Sequence, residues 1–164
     1  MREDGTVRST TDAWGCAMTA TEPDSSADQA APPRPFIFDV AEIEGHTNEE
    51  MMHEMPEAEF FYELLGRDLL TKVLVQTEQL CVYHETAKPG EQVKPHRHGT
   101  YQVNYVLRGE LMFGNQRVGP GMGYFSPDAL YSWRAGDEGA EWIEIHSGVG
   151  GIYTDRPSAT DPES

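Results

Sequence analysis

His96 and His98 stand one residue apart, and Gln102 follows, in the stretch Gly90-Glu91-Gln92-Val93-Lys94-Pro95-His96-Arg97-His98-Gly99-Thr100-Tyr101-Gln102. Side chains alternate along a β-strand, so two histidines at i and i+2 point to the same face. Two imidazoles on one face can hold a single divalent metal from a rigid platform. A glutamine on the next strand offers a third donor through its carbonyl oxygen. The pair lies between the turn residues Pro89-Gly90 and the strand-like run Gln102-Val103-Asn104-Tyr105-Val106-Leu107, and that context is the one a β-borne metal site requires.

The elements that must position these residues read mostly as short strands. The pattern predicts strands at 70–76, 79–86, 94–98, 101–107, 110–113, 123–126, 131–134 and 141–146. Turn residues separate them at Lys88-Pro89-Gly90, Gly114-Asn115-Gln116, Gly119-Pro120-Gly121 and Ala135-Gly136-Asp137. Thr47-Asn48-Glu49-Glu50 has the form of a capping box. It predicts a short helix through Met51, Met52 and Met55 that stops before Pro56, with the methionines used for packing or as a lid. From Phe60 onward the pattern reads as β. Residues 1–35 are rich in Ser, Asp, Ala and Pro and are expected to be a disordered tail. The single domain is then 36–154, and 155–164 is a second flexible tail.

Composition narrows the partners. The chain has 164 residues, room for one core. A formal net charge of −16 argues against nucleic acid and against anionic membrane surfaces, both of which attract positive charge. No apolar run is long enough to span a bilayer, and residues 1–11 show no secretory h-region. Cys16 and Cys81 are the only cysteines. One falls in the tail and one in an expected strand, so no disulfide framework is implied, and the plain expectation is a reducing, cytoplasmic setting.

At its histidines the chain resembles the cupin superfamily. That family's first motif spaces a glycine, His-x-His, a glutamate and a second glycine as Gly90, His96, His98, Gln102 and Gly109 are spaced here. Gln102 stands where the family usually has a glutamate ligand. The second motif runs from a glycine through a proline to a third metal-binding histidine. Gly121 and Pro127 match it, but the histidine is absent: Ser132 holds its place by strict count, or Tyr131 if the turn is one residue short. The resemblance spans about 70–147. It implies an all-β fold, the cupin double-stranded β-helix or jelly-roll barrel, with a short N-terminal helix. In that fold the last strand runs antiparallel beside the Gln102 strand, so His146 comes to lie next to Gln102 and can complete the sphere. The ligand set implied is His96, His98, Gln102 and His146. His84, on the strand neighbouring that of His146, is a weaker candidate. His46 and His53 are expected to face solvent or a lid.

Imidazole and amide oxygen suit Zn, Fe, Ni, Cu or Mn; zinc is the first expectation. A neutral sphere leaves the metal electrophilic, suited to binding a carbonyl and stabilising an enolate. Tyr105, Phe113, Tyr124, Phe125, Tyr131, Trp133 and Trp142 fall on barrel strands, about half of them facing inward, which fits an apolar or aromatic small-molecule substrate. The resemblance extends to the single-domain metal-dependent cyclases of aromatic polyketide biosynthesis, and it implies aldol-type cyclisation with Tyr131, Glu144 or a bound water as the base. The alternatives are a non-haem iron dioxygenase of a dicarbonyl or phenolic compound and a non-catalytic small-molecule-binding cupin. The family's habit of pairing through N-terminal strands implies a homodimer with 36–80 at its interface.

Overall fold

The computed structural model describes residues 34–155. The expected N-terminal tail up to residue 33, Cys16 within it, and the expected C-terminal tail from residue 156 lie outside the described residues. After a single 3-10 turn at Val40–Glu42, the chain forms β1 (His46–Thr47), α1 (Asn48–Met52) and α2 (Ala58–Leu65). Strands follow: β2 (Leu70–Gln76), β3 (Cys81–Ala87), β4 (Gln92–His96), β5 (Tyr101–Phe113), β6 (Gln116–Val118), β7 (Gly123–Pro127) and β8 (Tyr131–His146). Among the described residues no helix is long and apolar enough to cross a membrane.

The capping box is present in full. Thr47 Oγ1 accepts from the Glu50 N–H at 3.2 Å, and the Glu50 carboxylate accepts from the Thr47 N–H at 2.8 Å. The β reading from Phe60 onward is corrected: residues 58–65 are helical. Phe61, Leu64 and Leu65 are buried at i, i+3 and i+4, and Gly66, at φ 81°, ends the helix with its N–H on the Tyr62 carbonyl. That spacing is a helical face, while the aromatic run Phe60-Phe61-Tyr62 has the composition of a strand. Both helices cover one mouth of the barrel. Met52 is buried in the main core, and Met51 and Met55 pack against it.

Two long strands form the spine of the fold. β5 and β8 pair antiparallel from Gln102↔His146 to Met112↔Arg134. The C-terminal half of β8 also pairs with β3, and its N-terminal half with β4. β2 continues the sheet beyond β3, and β7 and β6 pair with the two halves of β5. The result is two sheets sharing β5 and β8, a double-stranded β-helix of the cupin type. The sequence reading divided each spine strand in two, at Arg108-Gly109 and at Ala135-Gly136-Asp137. The breaks are corrections: the glycines there serve close packing within continuous strands. A Cβ on Gly109, at φ 63°, would lie 2.1 Å from the Gly139 carbonyl oxygen, so only glycine fits where β5 crosses the bend of β8. Val106, Leu111, Ala135 and Trp142 are wholly buried at the centre, with Trp133 edge-on to Trp142 at 5.1 Å.

Candidate metal centre

Four residues from three elements meet inside the barrel mouth. His96 ends β4, and His98 lies in the turn just beyond it rather than on the strand. Their Nε2 atoms nevertheless converge to 3.1 Å. Glu144 and His146 share the inner face of β8, and the register Gln102↔His146 sets β5 beside them. His98, Glu144 and His146 each offer a ligand atom, all within 4.8 Å of one another. The described residues thus contain a histidine–carboxylate–histidine group able to hold a metal ion, with His96 against it.

The hydrogen bonds around the cluster determine which nitrogens carry protons. His96 Nδ1 lies 2.9 Å from the Lys94 carbonyl oxygen, and His98 Nδ1 lies 3.0 Å from that of Gly151. A carbonyl only accepts, so both Nδ1 atoms carry the hydrogen, and in the neutral rings both Nε2 atoms are bare lone pairs. Those lone pairs face each other. Burial lowers the basicity of both rings, and the neighbouring His96 helps bring His98 down to about 3. A proton therefore does not bridge them near neutral pH. Tyr131 donates its hydroxyl to His98 Nε2 at 3.1 Å. Burial and the Glu144 carboxylate push that phenol well above its usual value, so it remains a donor.

Glu144 is the anion of the site. Burial alone would raise it, but the His146 ring and its charge, with His98 and the Trp142 N–H, outweigh burial and bring it to about 2. Its Oε1 lies 2.8 Å from His146 Nε2, and its Oε2 accepts from Trp142 Nε1 at 3.3 Å. Thr100 Oγ1 lies 3.0 Å from His146 Nδ1 on the other side of the ring. Burial acts the other way on Glu85. It is buried, accepts only from the Thr71 hydroxyl at 2.8 Å, and is raised well above the carboxylate range by burial and by the Glu144 charge.

His96, His98, Tyr131, Glu144 and Glu85 line a cavity of about 30 Å³ together with Asn48, Leu65, Leu69, Val93, Trp133 and Trp142. Asn48 is fully buried; its amide donates to the Gly66 carbonyl at 2.9 Å, while its Oδ1 has no partner. Gln102 Nε2 and both polar atoms of Asn104 are likewise buried and unpartnered on the inner face of β5. Buried polar atoms of this kind call for a water, an ion or a ligand. The sequence reading gives Glu85, Asn48 and Asn104 no role at the site. The signal available was parity: Cys81, Tyr83 and Glu85 alternate on one face of β3, as Gln102 and Asn104 do on β5.

Other expected positions resolve plainly. Tyr131 is buried against the histidines, and Ser132 points away from them. His84 is on the outer face of β3, 2.8 Å from Glu141, and takes no part in the cluster. His53 is largely exposed. Phe113, Tyr124, Tyr131, Trp133 and Trp142 belong to the interior, while Tyr105 and Phe125 face out. Arg97, between the two histidines, points the opposite way. It pairs with Asp128 at 3.0 Å, bonds the Asp155 carbonyl at 2.8 Å and lies over the Tyr153 ring. It thereby ties β4 to the segment that carries Gly151.

Fold and cluster together describe a cupin-type barrel with a histidine–carboxylate group at its mouth. Solved structures similar to the chain include an RmlC-like cupin from Shewanella frigidimarina. It is 21% identical over 49% of this chain and 76% of that one, with a TM-score of 0.44. A double-stranded β-helix protein from Klebsiella pneumoniae is 19% identical over 54% of this chain and 80% of that one, at 0.48. An oxalate decarboxylase variant from B. subtilis is 20% identical over 53% of this chain and 28% of that one, at 0.46. No family model matches the chain, and no curated protein matches it. The fold assignment rests on the strand order and register described above.

Proposed function

We propose that the chain is a metal-dependent enzyme in which His96, His98, His146 and Glu144 hold one divalent ion. The reaction is proton or enolate chemistry on a small carbonyl compound. The observation that carries the reading is the pair of facing Nε2 lone pairs, each fixed by a backbone carbonyl behind it. The two lone pairs lie 3.1 Å apart; the Tyr131 hydroxyl donates to that of His98, while that of His96 faces it with no proton between them. The resemblance places a glutamate at Gln102; here the carboxylate comes instead from Glu144 on the paired strand. When bound, a divalent ion supplies Lewis acidity toward a carbonyl oxygen.

The chain's own residues divide the proton work. Glu144 is held ionised and Glu85 is pushed toward its protonated form by burial on walls of the same cavity, and carboxyls driven apart in this way suggest a base and an acid. Glu144 serves as ligand or as base, and Glu85 is the proton donor. Tyr131, kept neutral, positions His98 and donates; it is not the base. Trp133, Trp142 and Leu69 keep bulk water away. The cavity is far below the several hundred Å³ of a drug-sized pocket. The polyketide cyclisation implied by the resemblance is the most demanding version of this chemistry, since a long chain enters only if the α1–α2 wall moves outward.

The test is the metal content of protein purified without an affinity tag, by mass spectrometry. About one zinc per chain, lost in His98→Ala, supports the reading. Iron together with oxygen uptake on 1,3-diketones would move the chemistry to the dioxygenase alternative. Absence of metal uptake on titration, or full stoichiometry in His98→Ala, overturns it.

A further inference from the structure

The outer face of the second sheet collects positive charge in an acidic chain. The register sets Gln92 opposite Arg134, Arg134 opposite Met112, and Met112 opposite Arg117, one row across β4, β8, β5 and β6. Gln92, Arg134 and Arg117 are exposed, while their chain neighbours Val93, Trp133 and Val118 are buried in the core. Among the described residues Arg67, Arg97, Arg108 and Arg117 each meet a carboxylate, and Arg134 meets none. The sequence has 28 acidic and 12 basic residues. Carboxylates are therefore plentiful, and an arginine that none of them reaches is left for something else.

Lys94 follows Gln92 by two residues and so shares its face. Its ion pair with Glu63 is 3.7 Å long, and both side chains are more than half exposed, so the ammonium is held weakly. Lys94 and Arg134 line a groove of about 340 Å³ with Gln92, Pro95, Met112 and Ser132. That volume lies within the range of small-molecule sites. Among the described residues no carboxylate lines it. Gly114, which has no side chain, and Ser132 leave room in it, and Pro95 and Met112 give it apolar surface. A guanidinium forks onto a carboxylate through two parallel N–H bonds, and an ammonium adds a second positive charge. The net charge of −16 does not forbid an anion here. Salt screens exposed charges beyond about 8 Å, and the near field is that of Arg134 and Lys94.

We infer that this groove binds a small organic acid, its carboxylate on Arg134 with Lys94 as the second cation and its carbon chain along Pro95 and Met112. The site is separate from the metal centre and does not rest on the metal reading. The two nevertheless share a wall, because Val93 and Trp133 line both cavities.

The test is isothermal titration calorimetry of the full chain as purified, with succinate as the probe up to about 20 mM and inorganic phosphate as the comparison. Succinate should bind, and more weakly as salt is raised. Arg134→Met should weaken binding about 10-fold or more, with metal content and the circular dichroism spectrum unchanged. Lys94→Met should weaken it about 3-fold, and it carries the test should Arg134→Met fail to fold. Absence of succinate binding in this range overturns the inference. So does phosphate binding more tightly than succinate, or binding indifferent to both substitutions. Binding that disappears in His98→Ala would put the acid on the metal and overturns it as well.

Discussion

Glu144→Gln should change how stability depends on acidity. The folded protein holds this carboxyl at about 2 against an ordinary 4.5, and its side chain is only 13% exposed, so solvent screening is slight. Each pH unit of displacement corresponds to about 1.4 kcal/mol, which makes the ionised Glu144 worth roughly 3 kcal/mol to the metal-free fold. A carboxyl depressed by folding gives its full stabilisation above the unfolded value and loses it as pH falls toward the folded one. The contribution is therefore complete above about pH 5 and shrinks to roughly 1 kcal/mol by about pH 3. His98, brought down to about 3, also loses stability on acidification, between about pH 6.5 and 3, but it does so in both proteins and largely cancels in the difference. The assay is urea unfolding followed by tryptophan fluorescence, in chelator, at several pH values from neutral to about 3. Glu144→Gln should be less stable by about 2–3 kcal/mol near neutrality, and the two curves should converge in acid. Parallel curves with a constant offset would refute the argument, because the carboxylate would then be acting through packing alone.

Three further outcomes follow from the same geometry. Glu85→Gln should leave the metal-free protein as stable or more stable at neutral pH, because folding raises this carboxyl. Its protonated form contributes fully below 4.5 and loses ground as pH rises, so the advantage of the neutral amide should grow in base; denaturant melts at two pH values measure it. Tyr131→Phe removes the hydroxyl that occupies the His98 Nε2 lone pair in the metal-free protein, so metal affinity should hold or rise with stoichiometry preserved, read by competition with a chromophoric chelator; a fall in affinity would refute this. Arg97→Met strands Asp128 without its partner at 3.0 Å and should cost about 3 kcal/mol in urea unfolding; a loss under 1 kcal/mol would mean that solvent already screens the pair.

What could be read from the chain beforehand depended on how local the signal was. The glycine–histidine spacing from Gly90 to Gly109 is local, and so is the Thr47 capping box; each names its element without knowledge of the rest. The juxtaposition of His146 with Gln102 needed strand order and strand ends, and the strand order came from the resemblance rather than from the residues themselves. The strand breaks at Gly109 and Gly136 were misread because a glycine demanded by close packing, against the Gly139 backbone at Gly109 and the Glu110 side chain at Gly136, looks the same in one dimension as a glycine demanded by a turn. Helix α2 was missed because Phe60-Phe61-Tyr62 favours a strand by composition, whereas the Phe61, Leu64 and Leu65 spacing favours a helix, and burial decides for the spacing. Glu85 and Asn48 carry no motif. Their significance arises from a cavity formed by β3, β4, β8 and both helices, which no window of sequence contains.

The polar end of the barrel links these observations. Toward its N-terminal end β5 turns the buried polar residues Gln102 and Asn104 to the interior, and apolar burial resumes at Val106 and Leu111 further along the strand. The same holds for β8 at Glu144 and His146. At this end of the strands the apolar side chains Val103, Tyr105, Ile143 and Ile145 lie on the other face and are still partly open to water. Each such side chain contributes about 1.5–3 kcal/mol only when fully buried. The polar cluster of Gln102, Asn104, Glu144 and His146 is thus held in place by the apolar burial next to it on the same strands, at Val106, Leu111 and Trp142.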